Sequence, residues 1–576
     1  MNARFASNEL AERATARLDV HFLSDAVDLC QLNEMKRSSE TMIKSSLVLL
    51  GVLVTSVLGI VNSSAYSVLT NHNNVGRTGL VSKERVLTPG NVSGLKILFQ
   101  KTVDGQVYAQ PLAVTNQLVY TNGVSQGQQN IVIVATEKDS VYAFDAKTGK
   151  TYWQVSLLDP DDIPVPYTDL NTDCTDLVPV IGITATPVID RTAGPNGRIF
   201  VVAMETDGNG NYNYKLHALD LATGSDALTP VVISGSVPGQ GPATQFVAQK
   251  ERSRAGLLLL NGVIYVAFAA FCDPQVLPYA GFLIGYNETN LSRVAIFSDD
   301  PNGAPASVDV PDGSGGGIWQ AGLGPAADGS GNIYVATGNG PFDQTLNGGF
   351  PANQDYGDSV LKLSTTNGLN VADYFTPYNQ QQEADSDNDL ASGGVVVLPT
   401  IVDTHGKAHR LAVVTGKDTN IYLLNRGHLG KFNGTSNTIY QEIAGALGQG
   451  SWSSPAYFNG SIYCSGFSST LKRYQFDFSN PNKPLLNPTP AAQTTHTFGY
   501  PGITPSITAN GTRNAIVWGY EYSQSTSVLH AYDATTLKEL YNSGSLLGVG
   551  VKFAVPTICN GTVYLGTASS LVAFGL

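Results

Sequence analysis

A unit of roughly 40 to 50 residues recurs from about Tyr66 to the end of the chain, and this period restricts the fold more than any other feature. Each unit opens on a strand with small residues or Pro. A strand rich in Val, Ile and Tyr follows. An alternating strand then ends at Asp and a Thr-Gly-like turn, and a last strand carries an aromatic residue. The clearest copy runs Gln110-Pro-Leu, Ile131 to Thr136, then Ser140-Val-Tyr-Ala-Phe-Asp145-Ala-Lys-Thr-Gly149-Lys-Thr-Tyr-Trp153. Later copies open at Thr186-Pro-Val, Gly256-Leu-Leu-Leu-Leu260, Trp319-Gln-Ala-Gly, Gly393 to Pro399, Trp452-Ser-Ser-Pro455, Ile503-Thr-Pro-Ser and Phe553-Ala-Val-Pro556. Four short antiparallel strands at this spacing make a propeller blade, so the expected fold is all-β. The units divide into eight blades, or seven if the weaker copies are cut differently. The last unit has three strands only, and an unmatched strand, Leu95 to Lys101, precedes the first. Placed beside Leu571–Phe574, it completes the last blade and closes the ring, removing an exposed sheet edge.

Composition agrees. Charged residues make up 14% of the 576 residues, against roughly 25% in ordinary globular proteins. There are 60 Gly, 26 Tyr and 21 Phe, a mix of strand and turn formers. The net charge of −13, with no Lys/Arg run in the repeats, excludes a phosphate-backbone surface and hence nucleic acid as a partner.

Residues 1–41 are mixed and charged and read as a leader or disordered extension. Residues 42–65 read as a secretory signal: Lys44, an apolar run from Leu47 to Val61, then Ser63-Ser-Ala65. The apolar run is shorter than the roughly 20 residues of a membrane span, so no stable span is expected in the mature chain. Residues 66–576 form a single propeller domain in this reading. Sequons at Asn62, Asn91, Asn287, Asn290, Asn433, Asn459, Asn510 and Asn560 suit a secreted glycoprotein, although Asn-Gly pairs before strands also serve as turns. Four cysteines follow the leader. Cys174 and Cys272 fall in loops assigned to one face, where a disulfide would brace the rim. Cys464 and Cys559 fall in blades that are not adjacent and are left unpaired. No CxxC or CxxCH spacing marks a zinc ribbon or an attached haem.

The segment Ala143-Phe-Asp145-Ala-Lys-Thr-Gly149-Lys-Thr-Tyr-Trp153 resembles the tryptophan-docking repeat, A-x-D-x-x-T-G-x-x-x-W, of quinoprotein alcohol dehydrogenases. Asp220-Leu-Ala-Thr-Gly224 and Asp533-Ala-Thr-Thr are partial copies. The resemblance implies eight blades with the Trp docked between neighbours, and it brings pyrroloquinoline quinone and calcium as cofactors to be tested. The whole chain is also similar to secreted quinone-repeat propellers of unassigned activity, through Asp104-Gly-Gln-Val-Tyr-Ala-Gln110 and Gly256-Leu-Leu-Leu-Leu-Asn-Gly among other segments. Two departures stand against the enzymes. No adjacent cysteines supply the vicinal disulfide those enzymes place against the quinone, and their calcium-binding Glu, Asn and Asp have no residue-by-residue match here.

The repeat register assigns the loops between second and third strands to the face where propellers bind ligands. Here they carry Glu137-Lys138-Asp139, Glu205, Asp273, Asp358, Lys417-Asp418 and Glu521. The face therefore reads as polar and acidic, although any one such residue is more often merely solvated. Gln110, Arg252, Arg254, Trp319-Gln320 and Trp452 begin inner strands, where side chains can face the channel. An Arg there suits a carboxylate, and indoles suit a quinone or sugar; a structural ion pair and an apolar plug are the bland alternatives. Asp385-Ser-Asp387-Asn-Asp389 offers alternate carboxylates that could hold Ca²⁺, but lacks the Gly and terminal Glu of an EF-hand loop. The leading expectation is a secreted propeller binding a small molecule or carbohydrate at the channel mouth. The alternative is a pyrroloquinoline quinone- and calcium-dependent dehydrogenase of an alcohol or sugar. A hydrolase with paired carboxylates across the channel is a third reading.

Overall fold

The alternation that defines each repeat buries both faces of its strands. Ile131, Ile133 and Ala135 pack toward the following blade, while Val132 and Val134 pack toward the preceding one. A two-residue period with both faces apolar fits sheets stacked face to face around a ring. In a computed structural model, which describes residues 65–170, 175–239, 244–271, 279–302 and 315–576, eight larger antiparallel sheets form the blades of a propeller. The seven-blade division is thereby excluded. The leader and most of the signal segment, Asn62, Cys174, Cys272 and Asp273 lie outside the described residues.

Blade 1 contains Leu112–Thr121, Val124–Ala135, Ser140–Asp145 and Thr151–Ser156. The same up-and-down order recurs around the ring. Blade 8 contains Thr557–Cys559, Thr562–Gly566, Ser570–Gly575 and, as its outer strand, Lys96–Thr102. The closure runs antiparallel, with Lys96 opposite Gly575 and Thr102 opposite Ser570. Among the described residues, each of the eight junctions between neighbouring blades has its own buried apolar cluster.

The Thr-Gly turn does a specific job at two junctions. Trp153, on the outer strand of blade 1, packs on Gly224 of blade 2; a Cβ at Gly224 would lie 2.5 Å from Cε3 of the indole. Phe99, on the closing strand of blade 8, packs likewise on Gly149 of blade 1, where a Cβ would lie 2.6 Å from the ring. Both glycines have positive φ, 70° at Gly149 and 77° at Gly224. The turn thus needs glycine for its backbone and for the aromatic that docks on it.

The innermost strand of each blade has a free edge facing the channel. The segment from Tyr66 to Glu84 crosses the ring and meets every blade. Val68 pairs with Ala113 of blade 1. Leu69 O accepts from Ile189 N of blade 2 at 2.9 Å, Val75 O from Ala327 N of blade 4 at 2.7 Å, and Gly76 O from Val397 N of blade 5 at 2.9 Å. Thr78 O accepts from Tyr457 N of blade 6 at 2.9 Å. Leu80–Val81 runs parallel to Ser506–Asn510 of blade 7. Glu84 Oε2 accepts from Gly561 N of blade 8 at 3.0 Å. Blade 3 is reached by Arg77, whose Nη2 donates to Leu257 O at 3.0 Å. The same guanidinium donates to Pro325 O at 3.0 Å, Asn71 O at 2.7 Å and Thr70 Oγ1 at 2.9 Å. It is fully buried without a carboxylate partner, and burial lowers its pKa to about 9.

Surface features are consistent with these turns. Asn290, Asn433, Asn459 and Asn510 are exposed, while Asn91, Asn287 and Asn560 are half-buried. The amide Nδ2 of Asn91 donates to Val86 O at 2.8 Å and that of Asn560 to Tyr66 O at 2.9 Å. Cys464 and Cys559 are buried free thiols.

Two substitutions test this framework. Arg77→Ala strands four acceptors in the channel plug and is expected to cost about 3 kcal/mol or more; Arg77→Lys recovers only part, since one ammonium cannot span the same fork of acceptors. Gly224→Ala forces both a positive φ and a collision with Trp153, for a loss of about 2 kcal/mol or more. Thermal melting of each purified variant reads both effects.

Candidate functional site

Above the plug, the starts of the inner strands and the loops beside them enclose a cavity of about 290 Å³. Arg252 and Arg254 come from blade 3, Trp319 and Ala321 from the entry to blade 4, and Trp452 from the entry to blade 6. Asp387, Asp389 and Ser392 come from the chain leading into blade 5, whose own second-to-third-strand loop supplies Lys417. Tyr500, Phe553 and Asp176 complete the lining. The site is therefore a product of register: the same position of successive repeats is brought to one channel mouth.

Aromatic rings and cations alternate around the wall. Trp452 meets Tyr500 edge to face, with centroids 5.1 Å apart. Arg254 lies over the Phe553 ring at 4.1 Å, Arg252 near Trp319 at 5.7 Å, and Lys417 near Trp452 at 5.8 Å. The carboxylates are already engaged. Asp176 Oδ1 accepts from Lys552 Nζ at 2.6 Å, and its Oδ2 lies 3.5 Å from Arg252 Nη1. Burial pushes the Asp176 carboxyl up, but the two cations outweigh it and hold it well below the usual carboxylate range. Lys417 Nζ is held between Asp387 Oδ1 at 2.7 Å and Asp389 Oδ2 at 2.5 Å. Burial works against that ammonium, and the two aspartates overcome it, so its pKa is raised.

Arg254 is different. Its Nε and Nη1 are buried with no hydrogen-bond partner, and Trp319 Nε1 is in the same condition. Burial, with Arg252 beside it, lowers the Arg254 pKa to about 10. A buried guanidinium without a partner is costly, and in a cavity it forms a receptor for an anion.

The structure thus brings together Arg252, Arg254, Trp319, Lys417, Trp452, Asp387 and Asp389 from the residues singled out in the sequence. It places the others elsewhere. Asp385 ends the short helix Gln380–Asp385, is exposed, and accepts from Gln381 Nε2 at 3.0 Å. The three carboxylates of that stretch do not converge, and an ammonium rather than open space lies between two of them. Gln110 forms the floor below the cavity, donating to Thr557 Oγ1 at 2.9 Å and accepting from His72 N at 2.8 Å. Gln320 is buried behind the wall, its backbone N donating to Ala391 O at 3.0 Å.

The acidic loops are largely internal. Glu137 Oε2 accepts from Gly182 N at 2.9 Å and Thr184 Oγ1 at 3.0 Å. Asp139 is buried beside it, Glu205 is ion-paired with Lys215, and Asp358 accepts from Leu390 N at 3.3 Å. Only Lys138 of that group is exposed. Loop carboxylates that look solvated in sequence act here as acceptors for backbone N–H groups. The cavity holds cations and paired acids, so the acidic character expected of the channel mouth does not describe its lining.

Asp176, Tyr500, Lys552 and Phe553 are residues that sequence reasoning missed. Phe553 was legible, because it holds the inner-strand entry position of the eighth repeat, equivalent to Arg254 and Trp452. Asp176 and Tyr500 lie in loops without a repeat register.

The class of fold is that of the eight-bladed quinoprotein propellers. The chain is similar to the quinohemoprotein alcohol dehydrogenase of Comamonas testosteroni, at 14% identity and a TM-score of 0.56 over 88% of this chain and 80% of that one. It is similar to quinohemoprotein alcohol dehydrogenase ADHIIG of Pseudomonas putida HK5, at 13% and 0.55 over the same shares, 88% and 80%. A europium-containing methanol dehydrogenase matches at 13% and 0.54, over 88% of this chain and 98% of that one. At these identities the likeness concerns the fold. No family model matches the sequence, and no curated protein does.

Glu137 gives the stability of the fold a pH dependence. Burial raises its carboxyl to about 7, against the hydrogen bonds from Gly182 and Thr184. The folded state then binds a proton that the unfolded chain releases near pH 4.5, so stability from this group is full below that pH and is lost as pH rises through about 7. Glu137→Gln keeps an acceptor without the charge. The variant is expected to gain on the native protein between pH 5 and pH 8, by about 3 kcal/mol at most, read as a melting-temperature difference that grows with pH.

Proposed function

We propose that this protein is a secreted quinoprotein-like propeller whose channel mouth binds a small, flat, carboxylate-bearing molecule. The observation that carries the reading is Arg254: a buried guanidinium with two unpartnered nitrogens, stacked on Phe553, in a cavity walled by Trp319, Trp452 and Tyr500. A ligand carboxylate would satisfy the arginine, and a planar body would lie against the indoles. A cavity of about 290 Å³ suits a compact ligand. A carbohydrate would meet the same aromatic walls but would leave the cation without an anion. Secretion is supported by the signal-like segment and the sequon turns.

A second reading deserves the same test, because a quinone polycarboxylate is itself flat and anionic. Arg252, Arg254 and Lys552 would hold its carboxylates, and Trp319 and Trp452 its ring faces. Such a cofactor supplies two-electron oxidation when bound. The residues fit the organic cofactor and not the calcium. Lys417 takes the position between Asp387 and Asp389, and Asp176 is committed to Lys552 and Arg252. Among the described residues the lining carboxylates, Asp176, Asp387 and Asp389, are each ion-paired, which favours binding over turnover.

Quenching of tryptophan fluorescence on titration with pyrroloquinoline quinone and with simple aromatic di- and tricarboxylates is expected to show saturable binding that does not need Ca²⁺. Arg254→Met should weaken it about 10- to 100-fold, the loss of one charge-assisted hydrogen bond. Dye reduction with alcohols and aldoses should stay at background. Turnover would establish the dehydrogenase reading, and failure of every carboxylate to bind at millimolar concentration would remove both.

A further inference from the structure

Outside the cavity lining, the junction of blades 6 and 7 holds two histidines and a glutamate with no role in the site above. His496 lies on Ala492–Phe498, the outer strand of blade 6. Glu521 ends the second strand of blade 7, Arg513–Glu521, and His530 lies on the third, Val528–Asp533. His496 Nε2 is 3.1 and 3.0 Å from the two oxygens of Glu521, and His530 Nε2 is 3.2 Å from Oε2. One ligand atom from each residue lies within 4.8 Å of the others. The imidazoles stack at 26° with centroids 5.4 Å apart, so both present the same nitrogen to the same carboxylate.

We propose that His496, Glu521 and His530 form a binding site for a divalent transition metal of the zinc type, with His496 and His530 binding through Nε2 and the fourth position open to water. Three features carry this. The donor set, two imidazoles and one carboxylate, is one that zinc accepts with an open position. The spacing fits: ligands about 2.0–2.1 Å from a tetrahedral ion stand about 3.3 Å apart, close to the 3.0 to 3.2 Å between these nitrogens and oxygens.

The third feature is the environment of His530. Its other nitrogen, Nδ1, lies 2.8 Å from Glu539 Oε1 and 3.1 Å from the Tyr532 hydroxyl. A carboxylate on Nδ1 keeps the proton there and directs the Nε2 lone pair outward, the arrangement that holds metal-binding histidines in position. A neutral ring donates from one nitrogen only, so with the proton on Nδ1 the Nε2 lone pair faces the Glu521 carboxylate and a cation is needed between them: a metal ion, or a second ring proton that makes His530 an imidazolium held by both glutamates. The zinc and cobalt titrations distinguish the two. His530 is buried and packed between Tyr532, Phe498 and His496, while His496 is the exposed member, with 44% of its side chain accessible, and provides the way in for ion and water. The ion would bridge two blades, so binding and ring stability are coupled.

The other acidic grouping of the described residues, Asp159, Asp162 and Glu205, differs in kind. Lys215 is ion-paired with both Asp159 and Glu205, so a cation already occupies it.

Tag-free full-length protein, stripped with chelator, is titrated with Zn²⁺ by calorimetry and with Co²⁺ by visible absorption. One equivalent of Zn²⁺, a four-coordinate cobalt spectrum displaced by zinc, and a zinc-dependent rise in melting temperature are expected. His496→Ala should lower affinity at least 100-fold and abolish both the cobalt bands and the rise. Glu521→Gln, which preserves hydrogen bonding to the rings, should do the same if the carboxylate is a ligand. Glu539→Gln should retain the spectrum while weakening binding about 10- to 100-fold, as loss of a positioning partner does. His496→Ala should match the melting of the native protein without metal, so lost binding is not unfolding. Absence of zinc binding at millimolar concentration, or unchanged affinity in His496→Ala and Glu521→Gln, would overturn the proposal.

Discussion

Every blade of this ring turns an unpaired strand edge toward the channel, and satisfying those edges governs the rest of the structure. A sheet edge of N–H and C=O groups in a space too narrow for bulk water is costly unless something hydrogen-bonds to it. The chain from Tyr66 to Glu84 provides that something, with contacts to each blade in turn. Arg77 is its hub. The guanidinium is buried with neutral acceptors only, all three of its nitrogens used by four oxygens. Because its donors are planar and fixed, it holds carbonyls of the plug, blade 3 and the entry to blade 4 in one geometry. The ring is closed twice: at the rim by Lys96–Thr102 on blade 8, and at the axis by this segment.

The plug also decides where a ligand can go. It occupies the channel axis, and the cavity lies where the inner strands begin. At that level each repeat contributes the same position, and function follows from what the repeats place there. Arg254, Trp452 and Phe553 hold that position in blades 3, 6 and 8, and Gly322 holds it in blade 4, where Trp319 reaches the mouth from three residues earlier. Degenerate copies of one strand-entry position thus supply a binding wall without any dedicated loop.

This division explains what could be read in advance. The blades and the closing strand follow from local period and turn chemistry, which survive in sequence because each is satisfied within or between adjacent repeats; eight rather than seven blades was left to the structure, and the docking of Trp153 between neighbours came from the family resemblance. The channel-facing members of the site, Arg254, Trp319 and Trp452, follow from the same register. The plug was not legible: residues 66 to 84 have no internal period, and their partners lie up to hundreds of positions away. The loop acids misled for a physical reason. Glu137, Glu205 and Asp358 occur where solvated loops are expected, yet the tight stacking of blades buries these turns, and carboxylates are used to accept the N–H groups left over. Composition reports the charge and is silent on which way it faces.

The same distinction bears on the chemistry at the channel mouth. A divalent ion and an ammonium ask similar things of a pair of aspartates, but only the ion has further positions for a substrate oxygen. With Lys417 held between Asp387 and Asp389, an ammonium already sits where an ion would have to bind. Asp176 is similarly spent on Lys552 and Arg252. What remains unsatisfied in the lining is Nε and Nη1 of Arg254, Nε of Arg252 and the indole N–H of Trp319, all donors. On the proposed reading, a surplus of donors and aromatic faces would hold an anion, and withdrawing a proton from it would need an acceptor that the described lining has already engaged.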